Sequence, residues 1–264
     1  MERIKQALDR ARQQRQEGKP PPSAATGTTA APAGEVADIS YTQTRTVPVI
    51  ESVMRAHRII AAFPQTPFAD SYKILRTQVL QRMAENGWNV LAVTSPGEHE
   101  GKTLTAINLA VSLGMEVNYS VLLVDANLRH PSIHELLGLP EERGLSDYLL
   151  DEVPLPELLI HPEPFQHVVV LPAGRPVLNS SELLNSPRMT DLVEELKHRY
   201  PRRIVIFDLP PVLTAADALA FSPYVDAALL VLEEGGTDSD SARRALSLLD
   251  STHVIGTVLN KAAP

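Results

Sequence analysis

The apolar residues of this chain follow two rhythms. From residue 88 onward, short and nearly continuous apolar runs alternate with stretches of helical spacing. The runs are WNVLAVT (88–94), SVLLVD (120–125), HVVVLP (167–172), RIVIFD (203–208), DAALLVLE (226–233) and HVIGTVLN (253–260). Strands that are apolar at consecutive positions belong in a sheet covered on both faces, as parallel sheets are. The pattern therefore predicts an α/β fold with three layers, a mostly parallel central sheet, and ligands at the C-terminal ends of the strands. Ahead of this region, 47–63 and 67–87 carry helical spacing. The second places Tyr72, Leu75, Val79 and Met83 on one face and stops at Asn86-Gly87. The stretch PLPELLIHPEPF (154–165) reads as a short packing helix and a turn.

The N-terminal part obeys neither rhythm. Residues 1–17 place Ile4, Ala7, Leu8 and Ala11 on a narrow helical stripe surrounded by Arg and Lys. That helix suits docking to a partner or an acidic lipid surface, or simply a solvated helix that frays. Residues 18–46 are dominated by Pro, Ala, Gly and Thr, a composition that buries too little apolar surface to order itself, and read as a flexible linker. Residues 47–264 then form one domain.

Charge and composition narrow the function classes. With 24 Lys and Arg against 32 Asp and Glu, the formal net charge is -8, which argues against nucleic acid as a partner. The chain has no cysteine, which excludes disulfides and thiolate metal sites. No apolar run is long enough to span a bilayer, so the expected location is the cytoplasm, with recruitment to the inner face of the membrane left open. The eight histidines show no metal-binding spacing with carboxylates.

The chemistry concentrates in TSPGEHEGKT (94–103), between an apolar strand and a helix. A phosphate loop requires backbone N–H groups that close around oxygen, a Lys as mobile charge, and a Ser or Thr hydroxyl for Mg²⁺. Gly101, Lys102 and Thr103 supply the ending, and the helix beginning there adds its dipole. Pro96 stands where the strict loop pattern has its first glycine, and Gly97 follows one residue later. Two strands end on aspartates, Asp125 and Asp208. Beside a phosphate loop such residues serve as Mg²⁺ ligands or as a base, or they cap the following turn. Pro210-Pro211 forces an extended exit after Asp208.

Taken together, FADSYKILRTQVLQRM, TSPGEHEGKTLTAINLA, VLLVDANLRHPSIHELLGL, GLSDYLL, LPAGRPVLNSSELLNSPRM, IVIFDLPPVLTAADALA and VIGTVLNK resemble the bacterial tyrosine kinases of the CpsD/CapB type, in the subgroup tied to exopolysaccharide synthesis and exosortase systems. The resemblance covers residues 49 to 261. It implies a P-loop kinase that transfers a phosphoryl group from Mg-ATP to tyrosine and regulates exopolysaccharide biosynthesis and export. Lys102, Asp125 and Asp208 would be catalytic. Gly97, Glu100, Gly101, Lys102, Thr103, Leu104, Arg129 and Asn260 would contact the nucleotide, Asn260 at the adenine. Thr103, Asp125 and Asp208 would hold the Mg²⁺. Asp70, Lys73 and Arg76 fall on the family's oligomerisation helix, which implies a homo-oligomer, and the implied partner is the cytoplasmic segment of a membrane polysaccharide co-polymerase. Tyr41 is the tyrosine expected to be accessible as acceptor.

The pattern departs from the family at three positions. His99 replaces a glycine, Asn127 replaces the second aspartate of the D-x-D-x-R motif, and Leu209 stands where a hydroxyl residue is usual. The chain also ends without a tyrosine-rich tail. These departures keep a second reading open, a nucleotide-dependent assembly switch of weak catalytic power. A third, a MinD/ParA-like ATPase, shares the scaffold but would have a lysine at the position of Gly97.

Overall fold

The structure is a computed structural model that describes residues 44–63, 65–66, 68–140, 143–199 and 202–262. The expected N-terminal helix (1–17), nearly all of the linker (18–46) and Tyr41 lie outside them.

A single sheet organises the described residues. Its strands are β1 (Arg45–Pro48), β2 (Val90–Thr94), β3 (Ser120–Asp125), β4 (Ile160–Glu163), β5 (Val168–Leu171), β6 (Arg203–Asp208), β7 (Ala227–Glu233) and β8 (His253–Asn260). Their order is β1-β4-β5-β3-β6-β2-β7-β8. Every neighbouring pair runs parallel except β4 with β5. The expected α/β architecture is thus present.

The apolar runs are continuous because successive side chains enter two different cores. Leu91 and Val93 of β2, Val121 and Leu123 of β3, and Ile204 and Ile206 of β6 enter one. Val90 and Ala92, Leu122 and Val124, and Val205 and Phe207 enter the other. Helix α2 (Ala69–Asn86), following α1 (Glu51–Ala56), and helix α3 (Lys102–Gly114) cover the first face. Val79 and Met83 are buried there, while Tyr72 and Leu75 pack at its margin. Gly87 closes α2 in the left-handed region at φ 69°, as the Asn-Gly stop predicts.

The chain continues through α4 (Ile133–Leu137), α5 (Leu145–Asp151), α6 (Leu155–Leu158), α7 (Ser180–Leu184) and α8 (Pro187–Arg199). The last of these covers the second face with Met189, Leu192, Val193 and Leu196. α9 (Asp217–Phe221) and α10 (Ser239–Leu248) complete the element order. Phe221 sets its ring edge-on to Phe207 at 4.8 Å between centroids.

Three details differ from the sequence reading. Arg45 and Thr46, read as the end of the linker, begin β1. The stretch 47–63 is not one helix: α1 stops at Ala56, Arg58 turns left-handed at φ 58°, and a 3-10 turn follows at Ile60–Ala62. In 154–165 the short helix forms, but Ile160–Glu163 after it is a strand. β1 and β4 are short and carry prolines, and their pairing across the chain supplies what local sequence does not.

The strand order fixes where a site can form. From β2 the chain crosses to β3, and from β6 it crosses back to β7, so β2 and β6 lie side by side at the point where the winding reverses. The loop 94–103 leaves the sheet there, where open α/β sheets hold ligands.

Candidate active site

Gly101 precedes α3 with φ 92°, a conformation that only glycine adopts freely. A methyl group there would stand 1.9 Å from Asn260 Nδ2. Asn260, at the end of β8, donates to the Glu100 carbonyl at 2.9 Å. The Glu100 carboxylate accepts from the Gly97 N–H at 3.0 Å and from the Thr237 hydroxyl at 2.5 Å. The Thr237 hydroxyl in turn accepts from the Glu233 N–H at 2.8 Å. The loop is therefore tied to β7, to β8 and to the segment between β7 and α10. On the other side, the Pro210-Pro211 exit runs alongside it, with N–H groups of Leu209 and Val212 donating to Val93 and Ser95.

Lys102 and Thr103 begin α3. The Thr103 hydroxyl donates to Asp208 Oδ2 at 2.6 Å. Lys102 Nζ donates to Thr103 Oγ1 at 3.0 Å and lies 3.8 Å from Asp208 Oδ1. Asp208 Oδ1 has no hydrogen-bond partner, and Asp208 is wholly buried. Burial pushes its carboxyl above the ordinary range, against the pull of Lys102 and Thr103.

Asp125 sits beside Asp208 in register on the neighbouring strand. Its Oδ1 accepts from the Asn127 N–H at 3.2 Å, and its Oδ2 accepts from the Ser132 and Ile133 N–H groups at 3.0 Å each, at the start of α4. Burial first, and the nearby Asp208 second, push its carboxyl up to about 7. The side-chain oxygen of Asn127 is buried without a partner.

Lys102, Thr103 and Asn127 line a cleft of about 650 Å³ whose walls also include His99, Arg129 and Pro211, while Asp125 and Asp208 are wholly buried. An unpartnered carboxylate oxygen next to a threonine hydroxyl suits a hard cation that prefers oxygen. No set of three or more His, Asp and Glu side chains among the described residues holds a metal by itself. The oxygen set matches a cation whose shell is completed by phosphate and water, as Mg²⁺ does at nucleotide sites.

Besides Asn127, the structure locates the two other departures. His99 does occupy the left-handed region, at φ 61°, with its ring exposed at the cleft. Leu209 is 1% exposed and packs in the second core, so a hydroxyl at this position would be turned into apolar surroundings. Leu104 is half-buried in the first turn of α3. Away from the cleft, Asp70 and Lys73 pair on exposed α2 at 2.7 Å. Arg76 instead donates to the Ser112 carbonyl at 2.9 Å and pairs with Glu116 at 2.7 Å, joining α2 to the end of α3.

Four contacts in and around the cleft escaped sequence reasoning. Thr237 grips Glu100, Ser180 and Asp217 grip Arg129, and the backbone of α4 grips Asp125. The signal for Asp217 was present, an acid in the otherwise small and apolar AADALA.

No protein-family model matches the chain. It is 31% identical over 211 residues to the tyrosine-protein kinase YwqD of Bacillus subtilis (strain 168), which covers 79% of this chain and 87% of that protein. It is also 31% identical over 212 residues to the succinoglycan biosynthesis transport protein ExoP of Rhizobium meliloti (strain 1021), across 78% of this chain but only 26% of that protein. Among solved structures, the kinase domain of the Escherichia coli tyrosine kinase ETK matches with a TM-score of 0.71 at 27% identity, covering 83% of this chain and 91% of that one. The septum site-determining protein MinD of Pyrococcus horikoshii matches at a TM-score of 0.54 and 24% identity, covering 65% of this chain and 69% of that one, a likeness of fold alone.

Proposed function

Because the chain belongs to the bacterial tyrosine kinases, we propose that its cleft binds Mg-ATP and passes the terminal phosphoryl group to a tyrosine hydroxyl. The observation that carries this reading is the meeting of Lys102, Thr103 and the unpartnered Asp208 carboxylate oxygen at one strand-to-helix junction. In this reading the start of α3 and Lys102 take the phosphates, with Lys102 leaving Asp208 to reach them. Thr103 and Asp208 would hold the Mg²⁺, with Asp125 on the adjacent strand. When bound, that cation neutralises charge on the phosphate oxygens. In the same reading Asn260, at the end of β8, would contact the adenine.

The acceptor oxygen forms a bond to the terminal phosphorus as the bond to the ADP oxygen breaks, and the phenolic proton passes to Asp125. A carboxyl raised to about 7 suits a base working near neutral pH. The tyrosine acceptor and the exopolysaccharide role follow from the family resemblance, as does partnership with the cytoplasmic segment of a co-polymerase. The relation to ExoP, of which this chain matches 26%, supports a membrane partner of that kind. No helix among the described residues is long and apolar enough to cross a membrane; in this reading a partner of that kind recruits the chain to the inner face.

One observation favours a second reading, a nucleotide-dependent assembly switch. Asn127 cannot accept a proton, and three backbone donors, of Asn127 and of Ser132 and Ile133 at the start of α4, converge on Asp125. Phosphotyrosine mass spectrometry of the purified protein after Mg-ATP, with and without a candidate co-polymerase segment, separates the two. Tyrosine phosphate that disappears in Lys102→Ala is the expected result. Retained ATP binding with no tyrosine phosphate under either condition overturns the kinase reading in favour of the switch.

A further inference from the structure

Arg129 follows Asp125 by four residues and lines the cleft. Its Nε donates to the Ser180 hydroxyl at 2.8 Å and lies 3.4 Å from Asp217 Oδ2. Both anchors are wholly buried, whereas the Arg129 side chain keeps 40% of its surface. Ser180 begins α7 and Asp217 begins α9, so two separate elements grip one atom of the guanidinium. Neither terminal nitrogen of Arg129 bonds to a described residue.

Asp217 is a costly residue to bury. Neither of its carboxylate oxygens has a hydrogen-bond partner, and its ion pair among the described residues is with Arg129. A buried carboxylate of this kind contributes little net stability, because lost hydration offsets the attraction to its partner. What the pair does fix is direction. A guanidinium is a rigid planar fork, so holding Nε sets the plane and heading of the two terminal nitrogens.

The strand order gives that heading a meaning. Asn260 ends β8, the phosphate loop leaves β2, Asp208 ends β6, and Asp125 ends β3. Arg129 therefore lies past the loop on the side away from Asn260. A nucleotide with its base near Asn260 and its phosphates at Lys102 presents its last phosphate toward Arg129.

We propose that Asp217, together with Ser180, is a positioning residue that locks Arg129 through Nε, so that its two free terminal nitrogens form a receptor for the terminal phosphoryl group. The inference rests on the nucleotide reading of the cleft and assigns Asp217 a part in recognising the third phosphate.

The test is calorimetric titration of the full chain with Mg-ATP and with Mg-ADP, for the wild type, Asp217→Asn, Arg129→Lys and the double variant, each with its melting temperature. Arg129→Lys is expected to lower the ratio of ATP to ADP affinity roughly tenfold, since it keeps the charge but loses the fork. Asp217→Asn is expected to lower the same ratio with ADP affinity unchanged, and the double variant to lose no more than Arg129→Lys alone. A merely structural role would weaken both nucleotides alike and follow the melting temperature. Should Asp217→Asn fail to fold, Ser180→Ala takes its place and is expected to lower the same ratio. An unchanged ratio in Asp217→Asn, or in Ser180→Ala where that replaces it, overturns the inference alone. So does an additive loss in the double variant. A wild-type protein that binds neither nucleotide overturns the reading of the cleft and the inference together.

Discussion

Replacing Gly101 by Ala probes whether the loop is shaped by its own backbone or by its neighbours. At φ 92° an alanine is forced into a left-handed conformation, at a cost of about 1–2 kcal/mol. The new methyl group would also meet Asn260 Nδ2 at 1.9 Å. Asn260 is the end of a side chain and can swing aside, but only by giving up its bond to the Glu100 carbonyl, a further loss of about 1 kcal/mol. Against this, alanine restricts the unfolded chain, which returns about 0.4–1 kcal/mol. The net destabilisation is therefore about 2 kcal/mol, or roughly 4–8 °C in melting temperature for a chain of this size.

Urea unfolding without nucleotide, on the wild type, Gly101→Ala, Asn260→Ala and the double variant, separates the two contributions. In the Asn260→Ala background the bond is already lost and the space is free, so Gly101→Ala should cost about 1 kcal/mol less there than in the wild type. Equal cost in both backgrounds would refute the role given to Asn260. A cost below about 0.5 kcal/mol in the wild type would refute the backbone argument as well.

Two other predictions follow from the same site. His99→Gly removes left-handed strain but loosens the unfolded chain, so its melting temperature should stay near that of the wild type while Mg-ATP affinity rises, because the ring stands at the cleft. Unchanged affinity by calorimetry would mean that the ring stands clear of the ligand. The Asp125 carboxyl titrates at about 7 in the folded protein against an ordinary 3.8, so the fold holds that proton more tightly than the unfolded chain does. Its contribution is fully present below the ordinary value and is lost as pH rises to about 7. Asp208 shifts in the same direction, so Asp125→Asn should reduce rather than abolish the fall in melting temperature across this window. Identical slopes for the wild type and Asp125→Asn, measured without nucleotide or Mg²⁺, would show that Asp125 does not carry the effect.

The central sheet was legible because its strands are buried on both sides, which writes each one as an unbroken apolar run. SVLLVD and RIVIFD coincide with β3 and β6, which are buried throughout, whereas HVIGTVLN coincides with the edge strand β8, whose residues are mostly half-buried or exposed. The aspartates ending two of these runs were legible for the same reason, since a charged residue closing an apolar strand marks the rim of the sheet. β1 and β4 were not, because Ile160–Glu163 holds only four residues, one of them a proline, and gains its register from β1 and β5. The restraints on site residues were hidden differently. Thr237 and Glu100 are 137 residues apart, and Arg129 and Ser180 are 51 apart. No local pattern encodes such meetings; they exist only once the sheet brings the strand ends to one rim.

The three-way tie of Glu100 to Gly97, Thr237 and Asn260 bears on how motifs of this kind drift. A phosphate loop whose shape depends on its own glycines tolerates little substitution. Here much of the curvature is enforced from outside, by a threonine after β7 and an asparagine ending β8, so a histidine can sit at φ 61° without the loop needing to reorganise. Ties of this kind shape the loop through contacts within the fold, so a ligand that matches it asks for less coupled ordering on binding. The loop's tolerance at one position is then matched by dependence at distant ones. The residues that guard the loop against drift are Thr237 and Asn260, and a search confined to residues 94–103 would overlook both.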